Sequence, residues 1–336
     1  MSYPVDGPEF PGPPSPLARF DVPLALSPRP RKFRARMWLH LVLFVVTLVT
    51  TTMAGALHYA NFLSEFARQP IAFGLGAFLD PLWLLPGFWY SGTLLAILGA
   101  HEMGHYLLCR RHDVDATLPY FLPMPPLIFL AGTLGAVIKI REPFPNRKVL
   151  FDIGVAGPIA GFVLLVPALF YGMSISNIVP VPTEGTVFSL GEPLLFRWAM
   201  QLVFGTIRDG YTINMHPMVF AAWFGMLATA LNLLPFGQLD GGHLTYAALG
   251  RSSVAISLVT VATCVVMTFF SASWMYMTLM MLAMLFLLGP RHPRVIDEHE
   301  PLGAARVALT LFAIFMLVVC FTATPIEIQD LIGTGR

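Results

Sequence analysis

The strongest constraint on this chain is a series of apolar stretches, each long enough to cross a lipid bilayer. A spanning helix needs about 20 apolar residues. Backbone polar groups in hydrocarbon must pair within the segment itself, so such stretches fold as helices. We therefore expect an all-α polytopic membrane protein with about seven transmembrane helices. The stretches fall at about 37–59, 86–109, 149–172, 217–234, 253–270, 274–288 and 304–323.

Composition supports this class and argues against others. The 336 residues are 56% hydrophobic and only 12% charged, whereas a soluble domain has about 25% charged residues. The formal net charge is +1, so no nucleic-acid partner is expected, and the lipid bilayer is the expected surroundings. The three cysteines form no C-x-x-C pair and do not indicate a disulfide framework.

The distribution of basic residues predicts an orientation. With the N-terminus on the cytoplasmic side, seven spans place 16 of the 20 lysines and arginines on that side. Cytoplasmic loops of membrane proteins carry such an excess. We therefore expect a multi-pass protein of the bacterial cytoplasmic (inner) membrane with a cytoplasmic N-terminus. The four basic residues that fall outside this pattern are Arg68, Arg197, Arg208 and Arg336.

The same spans divide the chain into regions. Residues 1–36 are rich in proline and then basic, and we expect them to be a disordered cytoplasmic segment. Residues 37–324 form the predicted membrane domain, with an extracytoplasmic loop at about 173–216. Residues 325–336 are predicted to be a short C-terminal tail.

One apolar segment does not fit a helix. The segment from Leu118 to Ile140 contains four prolines, which would break a spanning helix. Non-helical backbone at membrane depth must be buried in protein or line a wet cavity. We interpret the segment as a re-entrant β-hairpin whose best strand lies within Gly132 to Ile140. An interfacial loop is the alternative.

Ionisable residues inside the second apolar stretch indicate chemistry. The stretch contains His101-Glu102-Met103-Gly104-His105, an H-E-x-x-H pattern. Residues four apart share a helix face, so both histidines can bind one metal ion, while Glu102 can reach a water bound to that ion. A chance pair of packed histidines is the alternative. Burying such groups in hydrocarbon is costly, which favours a functional role.

A catalytic zinc site usually has three protein ligands and one open position. Asp240 is the only carboxylate between Pro217 and Ala248. Pro235 precedes it and glycines follow it, so the backbone can bend and turn the carboxylate inward. Asp240 is therefore the predicted third ligand, and a simple helix cap is the alternative interpretation.

These motifs together resemble a known family. Asn232-Leu-Leu-Pro-Phe-Gly-Gln-Leu-Asp240-Gly241 is similar to the N-x-x-P-x-x-x-L-D-G motif of the site-2 proteases, which are intramembrane zinc metalloproteases. Gly157-Pro-Ile-Ala-Gly161 resembles the weaker glycine motif that this family carries between the other two. The resemblance covers about residues 86–249. It is closest to the branch without a PDZ domain, which includes chloroplast-type members and their bacterial relatives.

The resemblance implies a function and roles for residues. It implies one Zn²⁺ per chain bound by His101, His105 and Asp240, with Glu102 as general base. It implies Asn232 in the active site as an aid to substrate or oxyanion binding. The expected reaction is hydrolysis of a peptide bond within or near the transmembrane segment of a single-span membrane protein, as in regulated intramembrane proteolysis. The resemblance therefore implies that residues 86–249, approximately, form the catalytic core.

Two functions of other classes remain as alternatives. A zinc transporter would place ionisable residues along a path through the membrane, often in repeated halves. Here these residues cluster at one depth. A catalytically inactive relative acting as a membrane scaffold would not need Glu102, which is intact.

Overall fold

The computed structural model describes residues 32–33, 35–65, 75–181, 185–289, 295–298 and 301–331. Nearly all of the N-terminal segment predicted to be disordered lies outside these residues. The described chain is mostly helical, with short helical turns between residues 75 and 87. The main helices are α1 (Met37–Ser64), α2 (Pro81–Leu84), α3 (Phe88–Arg111), α4 (Arg147–Ser174), α5 (Leu194–Phe204), α6 (Pro217–Leu233), α7 (Asp240–Leu249), α8 (Ser253–Met267), α9 (Ser273–Leu288) and α10 (Ala304–Cys320).

Each predicted apolar stretch coincides with a helix, and the fold is that of a mostly helical membrane protein. Among the described residues, four helical stretches are long and apolar enough to cross a bilayer. Helices α6, α9 and α10 are apolar but shorter, with 17, 16 and 17 residues. The number of seven spans therefore stays a prediction. The four long stretches are Met37–Leu63, Pro81–Arg111, Arg147–Ser174 and Asp240–Met267.

The last of these stretches is a pair of helices that fold back on each other. The backbone N–H of Gly237 donates to the Ser257 hydroxyl at 3.3 Å, and the Thr260 hydroxyl donates to the Pro235 carbonyl at 3.2 Å. In one straight helix, residues 20 positions apart would be separated by about 30 Å. Helix α8 therefore returns beside α7 after a turn at Gly250, whose φ is +58°.

Helices α3, α4 and α6 form the centre of the packing, and small residues allow them to approach closely. A Cβ atom on Gly104 of α3 would lie 2.5 Å from the carbonyl oxygen of Ala156 on α4. A Cβ atom on Gly225 of α6 would lie 3.1 Å from Ile97 of α3. Backbones this close bring the functional segments of the three helices within side-chain reach of one another.

The proline-rich segment forms a hairpin. Strands β1 (Tyr120–Pro123) and β2 (Thr133–Val137) pair antiparallel, with Tyr120 opposite Val137 and a register shift between Leu122 and Pro123. The strand expected within residues 132–140 is therefore present. Whether the hairpin enters the membrane and returns stays a prediction.

The loop at 173–216 also contains regular structure. Strand β3 (Asn177–Pro180) pairs with β5 (Tyr211–Asn214), and helix α5 lies between them in sequence. Strand β4 (Gly185–Leu190) pairs antiparallel with β6 (Ile326–Leu331). Since β6 lies in the segment predicted to be a tail, the C-terminal region is attached to this loop.

Candidate active site

Helix α3 carries the H-E-x-x-H residues. Its uninterrupted helical backbone places His101 and His105 one turn apart on the same face. Both histidines and Glu102 are buried, with 6%, 6% and 7% of their surface exposed. These polar side chains therefore lie inside the protein and away from lipid.

Asp240 reaches the same point from the start of α7. The chain leaves α6 at Leu233 and turns through Gly237, whose φ of +50° favours glycine. A Cβ atom on Gly241 would lie 2.1 Å from the carbonyl oxygen of Leu233, so only glycine permits this close return. The turn between the helices thus directs the Asp240 carboxylate toward α3.

The three predicted ligand residues come together. Nε2 of His101 lies 3.1 Å from Oδ2 of Asp240, and Nε2 of His105 lies 3.3 Å from Oδ1. The two Nε2 atoms are 3.2 Å apart. Among the described residues, this is the group of His, Cys, Asp and Glu side chains that could hold a metal ion.

The donor set and its spacing fit zinc. Two imidazole nitrogens and a carboxylate oxygen are typical ligands of a catalytic zinc ion, which keeps a fourth position open. Atoms bound at about 2.0–2.1 Å to a tetrahedral zinc lie about 3.3–3.4 Å apart. The two histidine nitrogens are 3.2 Å apart, and each lies at 3.1 or 3.3 Å from a different oxygen of the Asp240 carboxylate, so the separations are close to that value.

Helix α4 shapes the space that the histidines occupy. The Nδ1 atom of His105 lies 2.7 Å from the carbonyl oxygen of Ile153. A Cβ atom on Gly157 would lie 2.1 Å from Nε2 of His105, and one on Gly161 would lie 3.3 Å from Cβ of His101. The glycine motif thus removes side chains where the two imidazoles lie against α4.

Glu102 and Asn232 complete the set of predicted site residues. The amide of Asn232 lies 3.3 Å from Nε2 of His101, so this side chain is at the site. Glu102 lies close enough to both histidines and Asp240 to interact with them electrostatically. Its carboxylate also faces the backbone N–H of Ile138, which directly follows β2. The hairpin therefore reaches the position of the expected base.

Two nearby residues lie outside the group of ligand atoms. Cys109, one turn beyond His105, is buried. His243 lies against Gly154 and its ring is 5.8 Å from that of Phe144. His243 therefore lies on the same helix as Asp240, α7, and contacts helix α4 at Gly154.

Sequence reasoning missed an ion pair close to the site. Arg306 of α10 makes two bonds to the carboxylate of Asp152 on α4, at 2.8 and 2.6 Å. Asp152 precedes Ile153, whose carbonyl contacts His105. The sequence did contain a signal for this pair. Asp152 and Arg306 are charged residues within apolar helices, and such charges usually pair with one another.

The fold and the site define a helical membrane protein with a buried H-E-x-x-H metal centre. A family model described as Peptidase family M50 matches residues 89–275, which is more than half of the chain. The chain therefore belongs to peptidase family M50, the family of the site-2 proteases. No solved structure matches it significantly.

Curated relatives carry names consistent with this family. The chain is 29% identical over 238 residues to "Probable zinc metalloprotease EGY1, chloroplastic" of Oryza sativa subsp. japonica, which covers 65% of this chain and 39% of the relative. It is 26% identical over 328 residues to the EGY1 protein of Arabidopsis thaliana, covering 89% and 56%. It is 31% identical over 160 residues to the Arabidopsis EGY2 protein, covering 47% and 28%.

These matches cover only part of each relative, which limits what they show about the present chain. The chain spans less than half the length of the rice relatives, 39% of EGY1 and 46% of EGY2. Their names place the relatives in chloroplasts, so they give no support to the expected bacterial inner membrane. What the comparisons and the apolar helices together support is a multi-pass membrane protein of a zinc metalloprotease family.

Proposed function

We propose that this protein is an intramembrane zinc metalloprotease that hydrolyses a peptide bond within or near the transmembrane segment of a single-span membrane protein. The observation that carries the proposal is the meeting of His101, His105 and Asp240 beside the buried Glu102 on a helix long enough to span a bilayer. A metal site with an adjacent carboxylate that is not itself a ligand is typical of zinc peptidases.

The roles of the residues follow from their positions. When bound, a zinc ion activates water for attack on a carbonyl at neutral pH. Glu102 accepts the proton of that water and later donates it to the leaving amine. Asn232, whose amide lies beside His101, donates a hydrogen bond to the carbonyl oxygen of the scissile peptide as negative charge develops there.

The hairpin offers a binding place for an unwound substrate. A helical peptide bond is shielded by its own hydrogen bonds, so the substrate must become extended. Among the described strands, β2 pairs only with β1, which leaves its other edge open to strand addition. The residue after β2, Ile138, faces Glu102. A substrate strand paired with β2 would therefore lead toward the base.

We also propose seven spans with the hairpin returning to its starting side. Two sets of contacts support the number of spans after the hairpin. The pairing of β4 with β6 requires the 173–216 loop and the C-terminal strand to lie on one side. Backbone bonds from Ile296 to Phe144 and from Asp297 to Pro145, at 3.0 and 2.9 Å, require residues 144–145 and 296–297 to share one side. Seven spans satisfy both conditions, because an even number of spans then separates the segments of each pair. The return of the hairpin is supported by a different contact: the backbone N–H of Arg141 donates to the Asp115 carbonyl at 2.9 Å, which joins the two ends of the proline-rich segment.

Reconstitution in proteoliposomes tests the proposed activity. A panel of single-span membrane proteins, each with a fluorescent label at its end, serves as the substrate set. We expect the zinc-loaded protein to cleave at least one reporter within its membrane segment. Glu102→Gln should retain zinc and cleave at least about 100-fold more slowly, because glutamine cannot accept the proton.

Met103→Leu is the matched control, since it changes the neighbouring residue of the same motif without altering its ionisable groups. It should cleave at the wild-type rate. Equal cleavage by Glu102→Gln and by the wild-type protein would refute the assigned base. Binding of the reporters without cleavage by any zinc-loaded protein would favour the scaffold alternative.

A further inference from the structure

Three consecutive carbonyl groups in the β1–β2 connection each contact a side chain of a long helix. The Thr50 hydroxyl of α1 donates to the Gly132 carbonyl at 2.7 Å. The Tyr90 hydroxyl of α3 donates to the Ala131 carbonyl at 3.0 Å. Nε2 of His58 on α1 lies 3.3 Å from the Leu130 carbonyl. Thr50, His58 and Tyr90 are called the hairpin clasp below.

Each contact of the hairpin clasp pairs a side-chain donor with a backbone carbonyl oxygen. A carbonyl oxygen only accepts hydrogen bonds, so the contact with Leu130 requires that Nε2 of His58 carry the proton. Tyr90 is fully buried, and Ala131 has only 4% of its surface exposed. A buried carbonyl without a hydrogen-bond donor is costly. The polar side chains of α1 and α3 therefore stabilise the β1–β2 connection by donating to its carbonyl groups.

The clasp also fixes the connection in space. A Cβ atom on Gly132 would lie 2.7 Å from the carbonyl oxygen of Thr50, and the φ of +73° at Gly132 favours glycine. The backbone of the connection therefore rests directly on α1. The His58 ring in turn stacks on Phe220 of α6, with ring centroids 4.6 Å apart.

Strand β2 joins the clasp to the site. It begins at Thr133, immediately after the clasped Gly132, and ends at Val137. Ile138 then faces Glu102. Five residues of strand span about 17 Å. A shift of the connection along α1 would therefore be passed to the end of the strand beside the base.

We infer that Thr50, His58 and Tyr90 are positioning residues that fix where β2 presents a substrate to Glu102. The presentation of a substrate rests on the proposed function, whereas the holding of the hairpin by these three side chains does not. A general role in folding would lower stability and zinc content together with activity. A positioning role moves the hairpin and raises KM while the metal site stays intact.

The structural test needs no substrate. In full-length protein without its native cysteines, spin labels at Leu134 on β2 and Leu107 on α3 report the distance between the hairpin and the catalytic helix. Both positions are exposed, at 58% and 56%. The pair Thr50→Val and Tyr90→Phe removes two donors and keeps the side-chain shapes. We expect this double variant to broaden or shift the distance distribution.

Thr51→Val is the matched control, because the Thr51 hydroxyl donates only to carbonyls of its own helix, those of Thr47 and Leu48. Its distance distribution should equal that of the wild type. Tyr90→Phe alone should give an intermediate change and provides a test if the double variant is poorly folded. An unchanged distribution in both the double variant and Tyr90→Phe would overturn the inference.

The functional test uses a cleaved single-span reporter in proteoliposomes. For the double variant we expect kcat/KM to fall about tenfold, mainly through KM, with zinc content and thermal stability near those of the wild type. Loss of zinc or of stability in parallel with activity would overturn the positioning role. If the wild-type protein cleaved no reporter, the proposed function would fail while the distance measurement would still decide on the clasp.

Discussion

The carbonyl oxygen of Ile153 lies 2.7 Å from Nδ1 of His105. A carbonyl can only accept, so Nδ1 carries the proton and Nε2 keeps its lone pair free for a metal. The same bond sets the orientation of the ring, which points Nε2 toward Asp240. Helix α4 thus selects the tautomer that a zinc site requires, using only its backbone.

The first prediction concerns metal content. Purified protein should bind about one zinc per chain, and His105→Ala or Asp240→Ala should lose it, because each removes one of three ligands. Elemental analysis after dialysis measures this. His112→Ala is the matched control. His112 directly follows the same helix, but its Nε2 atom lies 3.7 Å from Oδ2 of Asp152 and is not one of the three ligand atoms. Stoichiometric zinc in His105→Ala would contradict the ligand assignment.

The second prediction concerns Gly157. Alanine favours helices over glycine by about 1 kcal/mol, but here its Cβ atom would lie 2.1 Å from Nε2 of His105. We expect Gly157→Ala to displace that imidazole and to lower zinc affinity at least about tenfold, as measured by competition with a chelator.

Gly92→Ala provides the control for that change. Gly92 also lies in a helix, but a Cβ atom there would meet nothing within 4 Å. The Gly92→Ala variant should therefore bind zinc as tightly as the wild-type protein. Equal zinc affinity in Gly157→Ala would show that the histidine can move aside without leaving the metal.

The third prediction concerns the ion pair between Asp152 and Arg306. The pair is partly buried and has two bonds, so it should contribute to the docking of α10 on α4. In a double-mutant cycle with Asp152→Asn and Arg306→Gln, we expect a coupling of about 1 kcal/mol in the free energy of unfolding in mixed micelles.

The pair Arg197 and Glu192 is the comparison for that cycle. Its atoms are 3.7 Å apart and both side chains are largely exposed, so Arg197→Gln should change the free energy of unfolding little. Zero coupling between Asp152 and Arg306 would mean that α10 is held by apolar packing alone.

The fourth prediction concerns topology. Single cysteines at Glu192 and Asp209 should react with an impermeant thiol reagent from one side of the membrane. Cysteines at Pro143 and Arg251 should react only from the other side, because the basic loops gather there. The native cysteines are buried and can be replaced. A cysteine at Arg111, which precedes the hairpin, should react from the same side as one at Pro143, and labelling of these two from opposite sides would refute the re-entrant hairpin.

Much of the fold was predictable because membrane constraints act on local sequence. The apolar stretches fixed where helices lie, and the four prolines between Leu118 and Ile140 excluded a helix there. The H-E-x-x-H spacing placed His101 and His105 on one helix face. Each of these inferences depends on residues close together in the chain.

The way in which residues 240–267 fold was harder to predict. The apolar stretch in the sequence begins at about residue 253, but the helical residues 240–267 also qualify as one candidate span by length and composition. The bonds from Ser257 and Thr260 back to the turn before Asp240 show two helices instead. Hydropathy does not record such contacts, because they depend on where a helix reverses its direction.

The sequence by itself determined the class of the protein, the helix that carries Glu102, and the residue types that can bind zinc. Only the tertiary structure decided that Asp240 meets the histidines, that the Ile153 carbonyl orients His105, and that side chains of α1 and α3 hold the hairpin. The physical reason is that these contacts join segments far apart in the chain. Several use backbone carbonyls, which every residue carries and which therefore leave no mark in the sequence.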